Sequence, residues 1–327
     1  MKINHSLLAI AAALTGLGFA ETHIVNNNET HSADFRSFQE AHDAAVAGDT
    51  IILMPSGRSY GDVTVEKPLT LWGGQNVSSG ARSEVGNLLL NETAAGSLAE
   101  GIWANGAATL NGMNCVLKRC QALSLNIYQD SCTVESCHVG FLKHIGGEGP
   151  VGTVIRNTIF RVSSNSLNSY LLGSLTVDHC FIDREHTGGN FNHIWGRATG
   201  MVSNSILTAG SMTAPYTLSF DHCLFFGSIP STSSNGTSAP NSADTFVGHP
   251  TPPAGFPPGE TSRYYELKAG SPALTGDGSG GQQGIFGGEA PFVHGFHPAV
   301  PRITMFKKLS SNPTNGITFR VEASSQE

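Results

Sequence analysis

The chain has 327 residues, of which 39 are glycine and 13% are charged, and its formal net charge at pH 7 is −7. A negative net charge repels phosphate backbones, so nucleic acid is excluded as an expected partner. Low charge with abundant glycine is typical of β-rich folds with many turns and not of long helices.

The first 20 residues have the pattern of a signal peptide. Lys2 supplies a positive charge, Leu7 to Leu17 is an apolar run, and Gly18 to Ala20 offers small residues at a cleavage site. The run is too short to span a bilayer. We therefore predict cleavage between Ala20 and Glu21, no membrane span, and a mature protein that is secreted or held at the cell surface.

Six segments between residues 115 and 223 share one pattern, and the last residue of each is called the anchor. The anchors are Cys120, Cys137, Thr158, Cys180, Ser205 and Cys223. Positions three before and two after the anchor are small or apolar, so they should point inward, whereas the position two before it is polar. This change of phase requires a bend just before the anchor. A strand, a bend and a second strand repeated about every 20 residues predict a right-handed parallel β-helix.

The repeat also predicts the size of the rod and its surface. Residues 23–226 provide about ten coils at that repeat length. The outward column would stack Lys118, Glu135, Arg156 and Asp178 with alternating charge, which avoids like-charge neighbours. The mature domain organisation is then a β-helix over 21–247, a Pro- and Gly-rich loop with a closing segment over 248–288, and C-terminal strands over 289–327.

Both ends of such a rod need a cover, because an open coil exposes strand edges and core. A helix over 34–47, capped by Ser32 or Asp34 and ended by Gly48, is the predicted N-terminal lid. The alternating stretches at 303–306 and 317–321 are the predicted C-terminal cover.

Three stretches carry a resemblance to a known family. They are residues 37–53 with 60–73, the anchored repeats, and residues 265–273 with 284–288. Together they resemble the pectin-lyase-like superfamily of bacterial secreted β-helix proteins. The resemblance implies the fold and leaves the activity open, since the superfamily holds lyases, hydrolases, esterases, adhesins and structural proteins.

The six cysteines fall in two inward columns. Cys115 and Cys132 share one, and the cysteine anchors share the other, where Thr158 and Ser205 also stand. Small, weakly polar side chains of this kind suit a ladder of buried thiols. Disulfides between neighbouring coils, such as one joining Cys115 to Cys132, are the alternative. No zinc site is expected, because His partners at a suitable spacing are missing.

Polar residues concentrate in the longest insertion between coils. Candidate catalytic residues are Asp183, Arg184, Glu185 and Arg197, and candidate ligand-binding residues are His144, His186, His193 and Trp195. A lyase would need carboxylates to bind Ca²⁺ and a base for the proton beside a uronate carboxyl, which is commonly Arg or Lys in the lyase relatives. A solvated loop with a local ion pair is the alternative, and it needs no cofactor.

Other polar and aromatic residues have structural readings. Asp178 and Asp221 share the outward column but stand two coils apart, so they do not form the grouped carboxylates of a hydrolase. His179 and His222 precede anchors and are expected to hydrogen-bond along the turn stack. Trp72 is expected in the core, whereas Trp103, like Trp195, would be a sugar-stacking platform if exposed.

The sequence therefore favours a secreted or cell-surface β-helix protein that binds carbohydrate or another surface component and has no clear catalytic set. A polysaccharide lyase acting on an acidic glycan through the cluster at 183–197 is the first alternative. A structural subunit that polymerises is the second, and it would require an uncovered coil end. The oligomeric state is left open.

Overall fold

The computed structural model describes residues 20–74, 81–144, 149–162, 172–184, 197–208, 218–239, 244–248, 265–292, 302–312 and 316–324. Strands are numbered along the chain. The first sheet comprises β1 Thr22–Val25, β2 Thr50–Leu53, β4 Thr70–Trp72, β7 Leu98–Glu100, β9 Val116–Lys118, β11 Thr133–Glu135, β13 Thr153–Arg156, β15 Leu172–Asp178, β17 Arg197–Ser203, β19 Leu218–Asp221 and β21 Ser233–Ser234. The second sheet comprises β3 Val63–Val65, β5 Glu84–Val85, β6 Leu88–Leu90, β8 Trp103–Leu110, β10 Gln121–Ile127, β12 His138–His144, β14 Ile159–Val162, β16 Phe181–Arg184, β18 Ile206–Leu207, β20 Leu224–Phe226 and β22 Thr237–Ala239.

Strands in both sheets pair in parallel with strands one coil away. The chain runs from a strand of the first sheet to a strand of the second and then advances to the next coil, which confirms the predicted parallel β-helix. The first sheet has 11 strands, one more than the predicted number of coils. The pattern missed the last coil because β21 and β22 are short strands of Ser, Thr and Ala, without the apolar columns of the others.

The anchors form a hydrogen-bonded ladder inside the rod. Thr158 Oγ1 accepts a hydrogen bond from the backbone N–H of Cys137 at 3.2 Å and donates to the carbonyl two residues earlier at 2.9 Å. Ser205 Oγ accepts in the same way from Cys180 N–H at 3.0 Å, and Cys137 Sγ lies 3.4 Å from the backbone nitrogen of Cys120. Cys, Thr and Ser interchange here because each side chain both accepts and donates.

All six cysteines are free thiols and buried, as the ladder prediction requires. Burial is the main cause that raises the pKa of each of the two thiols Cys115 and Cys223, the latter to about 12. A thiol with a raised pKa is a poor nucleophile. These cysteines are therefore structural, and the alternative of disulfides between coils does not describe this structure.

The predicted bend lies one residue before each anchor. There the backbone enters the left-handed region, with φ between 47° and 53°. The residues of this bend column are Arg119, Ser136, Asn157, His179, Asn204, His222 and Asn235. Asn and His tolerate this conformation better than β-branched residues do. The turn redirects the chain from the first sheet into the second and leaves the anchor facing inward.

The outward column of the first sheet has the predicted register. Glu100, Lys118, Glu135, Arg156 and Asp178 are successive partners along it. The Glu135 carboxylate lies 2.7 Å from Lys118 Nζ and 2.5 Å from Arg156 Nη2. Burial acts to raise the pKa of Glu135, but hydrogen bonds and positive charge from both neighbours hold that pKa below its usual value.

The N-terminal helix, α1, spans Phe38–Ala44, so the predicted bounds of 34–47 were wrong at both ends. Its N-cap is Ser37 and neither Ser32 nor Asp34, because Ser37 and Glu40 form a capping box. Asp34 instead belongs to a segment that borders β1. Its backbone N–H donates to the carbonyl of Ile24 at 3.0 Å.

The lid function of α1 is confirmed by its packing. Phe38 and Ala41 are buried in the main core at the end of the rod, together with Ala45 just after the helix. The edge of β1 is covered by the bridge between Val25 and Phe35. This end of the coil is therefore protected in the way that an exposed strand edge requires.

A second apolar cluster lies outside the coil, on the outer face of the second sheet. Residues 265–292, called the closing segment, fold back onto β14, β16, β18 and β20. The Phe181 ring is 4.4 Å from the Tyr265 ring and 5.3 Å from the Phe246 ring, measured between centroids. The predicted loop of 248–288 is thus a packed cover in its described part, although its only regular element is the 3₁₀ turn Pro272–Leu274.

The C-terminal strands are β23 Arg302–Asn312 and β24 Gly316–Ser324, which pair as an antiparallel hairpin. Two strands were predicted here, and their role as a cover stays a prediction. No helix within the described ranges is long and apolar enough to cross a membrane. Residues 1–19 of the predicted signal peptide lie outside the described residues.

Candidate functional site

Four of the predicted site residues lie on described strands. Asp183 and Arg184 end β16, and Arg197 begins β17. His144 ends β12, two strands from β16 in the same sheet. Glu185, His186, His193 and Trp195 lie outside the described residues. A catalytic or binding role for this cluster therefore stays a prediction.

Asp178 and Asp221 do not form a catalytic pair. Ser203 stands between them in the column, so the two carboxylates are two coils apart, as predicted from the repeat. The Asp178 carboxylate accepts hydrogen bonds from Ser203 Oγ at 2.7 Å and Asn204 Nδ2 at 2.8 Å. Burial acts to raise the pKa of Asp178, but its hydrogen bonds, first to His179, hold that pKa below the usual value. It is a structural carboxylate.

His179 is a link between the coil and the closing segment. Its Nδ1 lies 2.8 Å from Asp178 Oδ2, and its Nε2 lies 3.5 Å from Asp277 Oδ2. Burial acts to lower the pKa of His179, but hydrogen bonds and charge from the two carboxylates raise it above its usual value. Hydrogen bonding along the turn stack is made by the backbone, where His179 N–H donates to the carbonyl of Ser203 at 3.2 Å, whereas the partners of the His179 side chain are these carboxylates.

Other members of the bend column also hold the closing segment. Asn157 Nδ2 donates to the carbonyls of Ile285 at 3.0 Å and Gly287 at 2.8 Å. Asn204 Oδ1 accepts from Gly278 N–H at 3.0 Å. This side of the rod is therefore occupied by the protein itself.

Two of the three tryptophans lie on described strands, and the expected core position of Trp72 was wrong. Trp72 is half-buried on the outer face of the first sheet and is not a member of the core. Trp103 is only 8% exposed, and the Arg82 guanidinium lies 3.6 Å from the centroid of its ring. In this state Trp103 is a covered aromatic ring and not an open platform.

An open polar pocket of about 370 Å³ lies at the N-terminal end of the rod. The loop that follows β1 forms one wall, and the loop that follows β2 forms the other. Its lining residues are Asn28, Glu29, Thr30, Ser56, Gly57 and Arg58. Among the contacts of the described residues, neither the Glu29 carboxylate nor the Arg58 guanidinium has a hydrogen bond or an ion pair, so both are available to a ligand.

Hydrogen bonds hold the two walls of the pocket in place. Asn27 Nδ2 donates to the carbonyls of Arg58 and Ser59, both at 3.1 Å, and so ties one wall to the other. Arg36 Nη1 donates to three carbonyls of the first wall, at 2.7 to 3.1 Å. Asn28 Oδ1 accepts from Thr30 Oγ1 at 2.8 Å. The lining groups are thus carried on a preorganised backbone, which lowers the entropy cost of binding.

The pocket offers the chemistry of polar recognition. A carboxylate, a guanidinium, two hydroxyls and an amide line an opening wide enough for a small ring. Within the described ranges no cluster of three or more His, Cys, Asp or Glu residues could hold a metal ion. Carboxylate and guanidinium groups each bind two neighbouring hydroxyls with two parallel hydrogen bonds. The arrangement suits a polyhydroxylated ligand.

The sequence reasoning missed this pocket. Its residues lie in loops and have no column pattern, so the repeat that revealed the coils passed over them. One signal was present: an Asn-rich stretch follows β1 directly and a Ser-Gly pair lies two residues beyond β2, and stacked coils bring such equivalent positions together.

No family model matches the sequence, and no curated protein matches it. Function therefore has to be inferred from the geometry of the chain.

Proposed function

We propose that this chain is a secreted or cell-surface β-helix protein that binds carbohydrate in the pocket between the loops after β1 and β2. The observation that carries the proposal is the pair of unpartnered charged groups, Glu29 and Arg58, in one preorganised pocket. A carboxylate and a guanidinium without protein partners, beside hydroxyl and amide groups, are typical of sites that bind sugar hydroxyls by hydrogen bonds. Membership of the pectin-lyase-like superfamily is part of the proposal and is supported by the parallel coil.

The test is binding of the mature chain to immobilised β-glucan, xylan and polygalacturonate, followed by calorimetry on the polymer that is retained. Hydrogen bonds to charged groups are worth about 1.5–3 kcal/mol, so Glu29→Ala or Arg58→Ala should weaken binding about tenfold or more.

The chain contains a matched control for the acidic residue. Glu29 lies in the tripeptide Asn28-Glu29-Thr30, and the same tripeptide recurs as Asn91-Glu92-Thr93, where Glu92 is also exposed. Glu92→Ala should leave binding unchanged. Equal losses in the two variants, or no retention by any polymer, would refute the proposal. Unsaturated products released from polygalacturonate with Ca²⁺ would instead favour the lyase alternative.

A further inference from the structure

A second group of side chains lies on the coils next to the pocket. Ser56, which lines the pocket, is paired through its backbone with Arg82 in an antiparallel bridge, with Ser56 N–H donating to Arg82 O at 3.1 Å. Glu84 follows on β5, and β5 pairs with β8 so that Glu84 lies beside Trp103. Ser56, Glu84 and Trp103 follow strands β2, β4 and β7, which are successive neighbours in the first sheet.

Arg82 connects these groups by two contacts. Its guanidinium lies 3.6 Å from the centroid of the Trp103 ring. Its Nη2 and Nε lie 2.8 Å and 2.9 Å from Glu84 Oε2. The other carboxylate oxygen of Glu84 accepts from the exposed Asn105 Nδ2 at 3.0 Å. An indole ring is thus flanked by a carboxylate and an amide, and a long, flexible cation covers its face.

This cover differs from a packed core contact. The Arg82 side chain is 23% exposed, and its partner Glu84 is 21% exposed, so water reaches both. A water-exposed ion pair adds little stability, and an arginine side chain rotates readily about its several bonds. Arg82 is therefore able to leave the ring when another flat, partly apolar group competes for it.

The distance between coils sets the size of a ligand that would contact both the pocket and the Trp103 ring. Neighbouring parallel strands lie about 4.8 Å apart, which is close to the length of one sugar residue. Ser56 and Trp103 are two coils apart, so a ligand that fills the pocket and extends along the rod reaches the indole after about two further sugar residues.

We propose that Trp103 is a latent sugar-stacking subsite, covered by Arg82, which an oligosaccharide of three or more residues uncovers as it extends from the pocket along the rod axis. The inference rests on the proposed function and specifies its ligand class. The aromatic ring stacks on the apolar face of a sugar ring, and Glu84 and Asn105 bind its hydroxyls.

The experiment is a calorimetric titration with one- to four-residue oligosaccharides of the cello-, xylo- and galacturonate series. For the wild-type chain, affinity should rise at least tenfold between the disaccharide and the tetrasaccharide. Trp103→Leu should remove this rise, so that the two lengths bind alike. Arg82→Ala, which uncovers the ring, should strengthen tetrasaccharide binding several-fold relative to disaccharide binding.

Trp72→Phe is the matched control, since Trp72 lies on a neighbouring coil but on the other sheet, and it should leave the length dependence unchanged. Because Trp103→Leu could impair folding, Arg82→Ala is an independent test with the opposite sign. Affinity that is independent of length, while Arg58→Ala still weakens binding about tenfold or more, would overturn the inference alone. A loss of tetrasaccharide binding in Arg82→Ala would also overturn it. Absence of binding at every length, in the wild type and in Arg82→Ala, would overturn both proposals.

Discussion

The two halves of the second sheet present different outer faces, although the same repeat builds both. In the C-terminal coils the residue after each anchor is Ile159, Phe181, Ile206 or Leu224, and all four are buried beneath the closing segment. In the N-terminal coils the equivalent column carries Glu84, Trp103, Gln121 and His138. The column therefore becomes wholly apolar in the coils where the closing segment packs on the rod.

The bend column changes at the same place. Arg119 pairs with Glu100 on the coil below, so its interactions stay within the rod. In the coils that follow, the side chains of Asn157, His179 and Asn204 bond to the closing segment. The closing segment thus contacts the C-terminal half of this face, whereas Gln121 and His138 of the N-terminal half are buried without belonging to its apolar cluster.

The largest expected effect comes from removing an aromatic ring in the covered half. Phe181 is 1% exposed and packs on Tyr265 and Phe246. Phe181→Ala should destabilise the protein by about 3–5 kcal/mol, because it removes buried apolar surface and leaves a cavity. The measurement is urea unfolding, with proteolysis of the closing segment as the local readout.

Met201 provides the control on an uncovered surface. It lies on the outer face of the first sheet and is 40% exposed. Met201→Ala should change the free energy of unfolding by less than about 0.5 kcal/mol. Similar losses for Met201→Ala and Phe181→Ala would contradict the contrast between covered and open outer faces.

The coil was predictable because its signal is periodic. Each turn repeats the same inward columns and the same anchor, so the register of Lys118, Glu135 and Arg156 followed directly from the sequence. The cover was also visible in principle: reading the column one residue after the anchor would have found Phe181 and Leu224 in an outward position, where an apolar residue needs a partner. The helix bounds were missed because the Ser37 capping box was not recognised.

The candidate pocket and the Arg82 cover were not predictable in the same way. Glu29 and Arg58 meet only because the loops after β1 and β2 stack, and loop lengths there do not follow the repeat. The covering of Trp103 depends on the rotamer of Arg82, which no column pattern encodes. Periodicity therefore predicts the rod, whereas the functional groups lie where periodicity is interrupted.

The second prediction concerns the ladder of anchors inside the rod. Thr158→Val keeps the shape of the anchor but removes its hydroxyl, which leaves the backbone N–H of Cys137 without its acceptor. A buried unsatisfied donor costs about 1–3 kcal/mol. Thr158→Ser retains the hydroxyl and should recover much of this loss in urea unfolding. Equal destabilisation by Val and Ser would mean that the methyl group, and not the hydrogen bond, matters at the anchor.

The third prediction concerns the link between coil and closing segment. Because the pKa of His179 is raised in the folded state, its stabilising contribution is complete below its unfolded pKa and is lost as pH rises through the folded pKa. Facing it are Asp178 on its own coil and Asp277 on the closing segment. His179→Gln should therefore cost about 1–2 kcal/mol in mildly acidic buffer and progressively less as the buffer becomes alkaline.

His222 is the matched control, since it occupies the same position in the bend column and contacts Asp221 but no carboxylate of the closing segment. His222→Gln should increase the rate of amide exchange in the closing segment less than His179→Gln does. If His222→Gln and His179→Gln released the segment equally, the bridge to Asp277 would not be what holds it.

The smallest effect is expected at the opposite end of the rod, and its pH dependence has the opposite sign. His42 Nε2 accepts a hydrogen bond from the backbone N–H of Glu66 at 3.1 Å, which requires a neutral ring. Burial and then the charge of Lys67 lower the pKa of His42, against smaller opposing effects of Glu66 and Asp43. The contribution of the neutral ring is present above the unfolded pKa and is lost as pH falls through the folded pKa.

His42→Gln keeps an acceptor but does not titrate. At neutral pH the free energy of unfolding of the variant should lie within about 1 kcal/mol of the wild-type value. In acid it should be higher than the wild-type value, because the wild-type ring then protonates and loses its hydrogen bond. Amide exchange at Glu66 reports the loss of the hydrogen bond to His42. Amide exchange in the closing segment reports the loss of its contact with His179. Acidification should thus loosen the N-terminal lid while the closing segment stays in place. If both regions loosened together on acidification, the lid and the closing segment would form one cooperative unit and would not open independently.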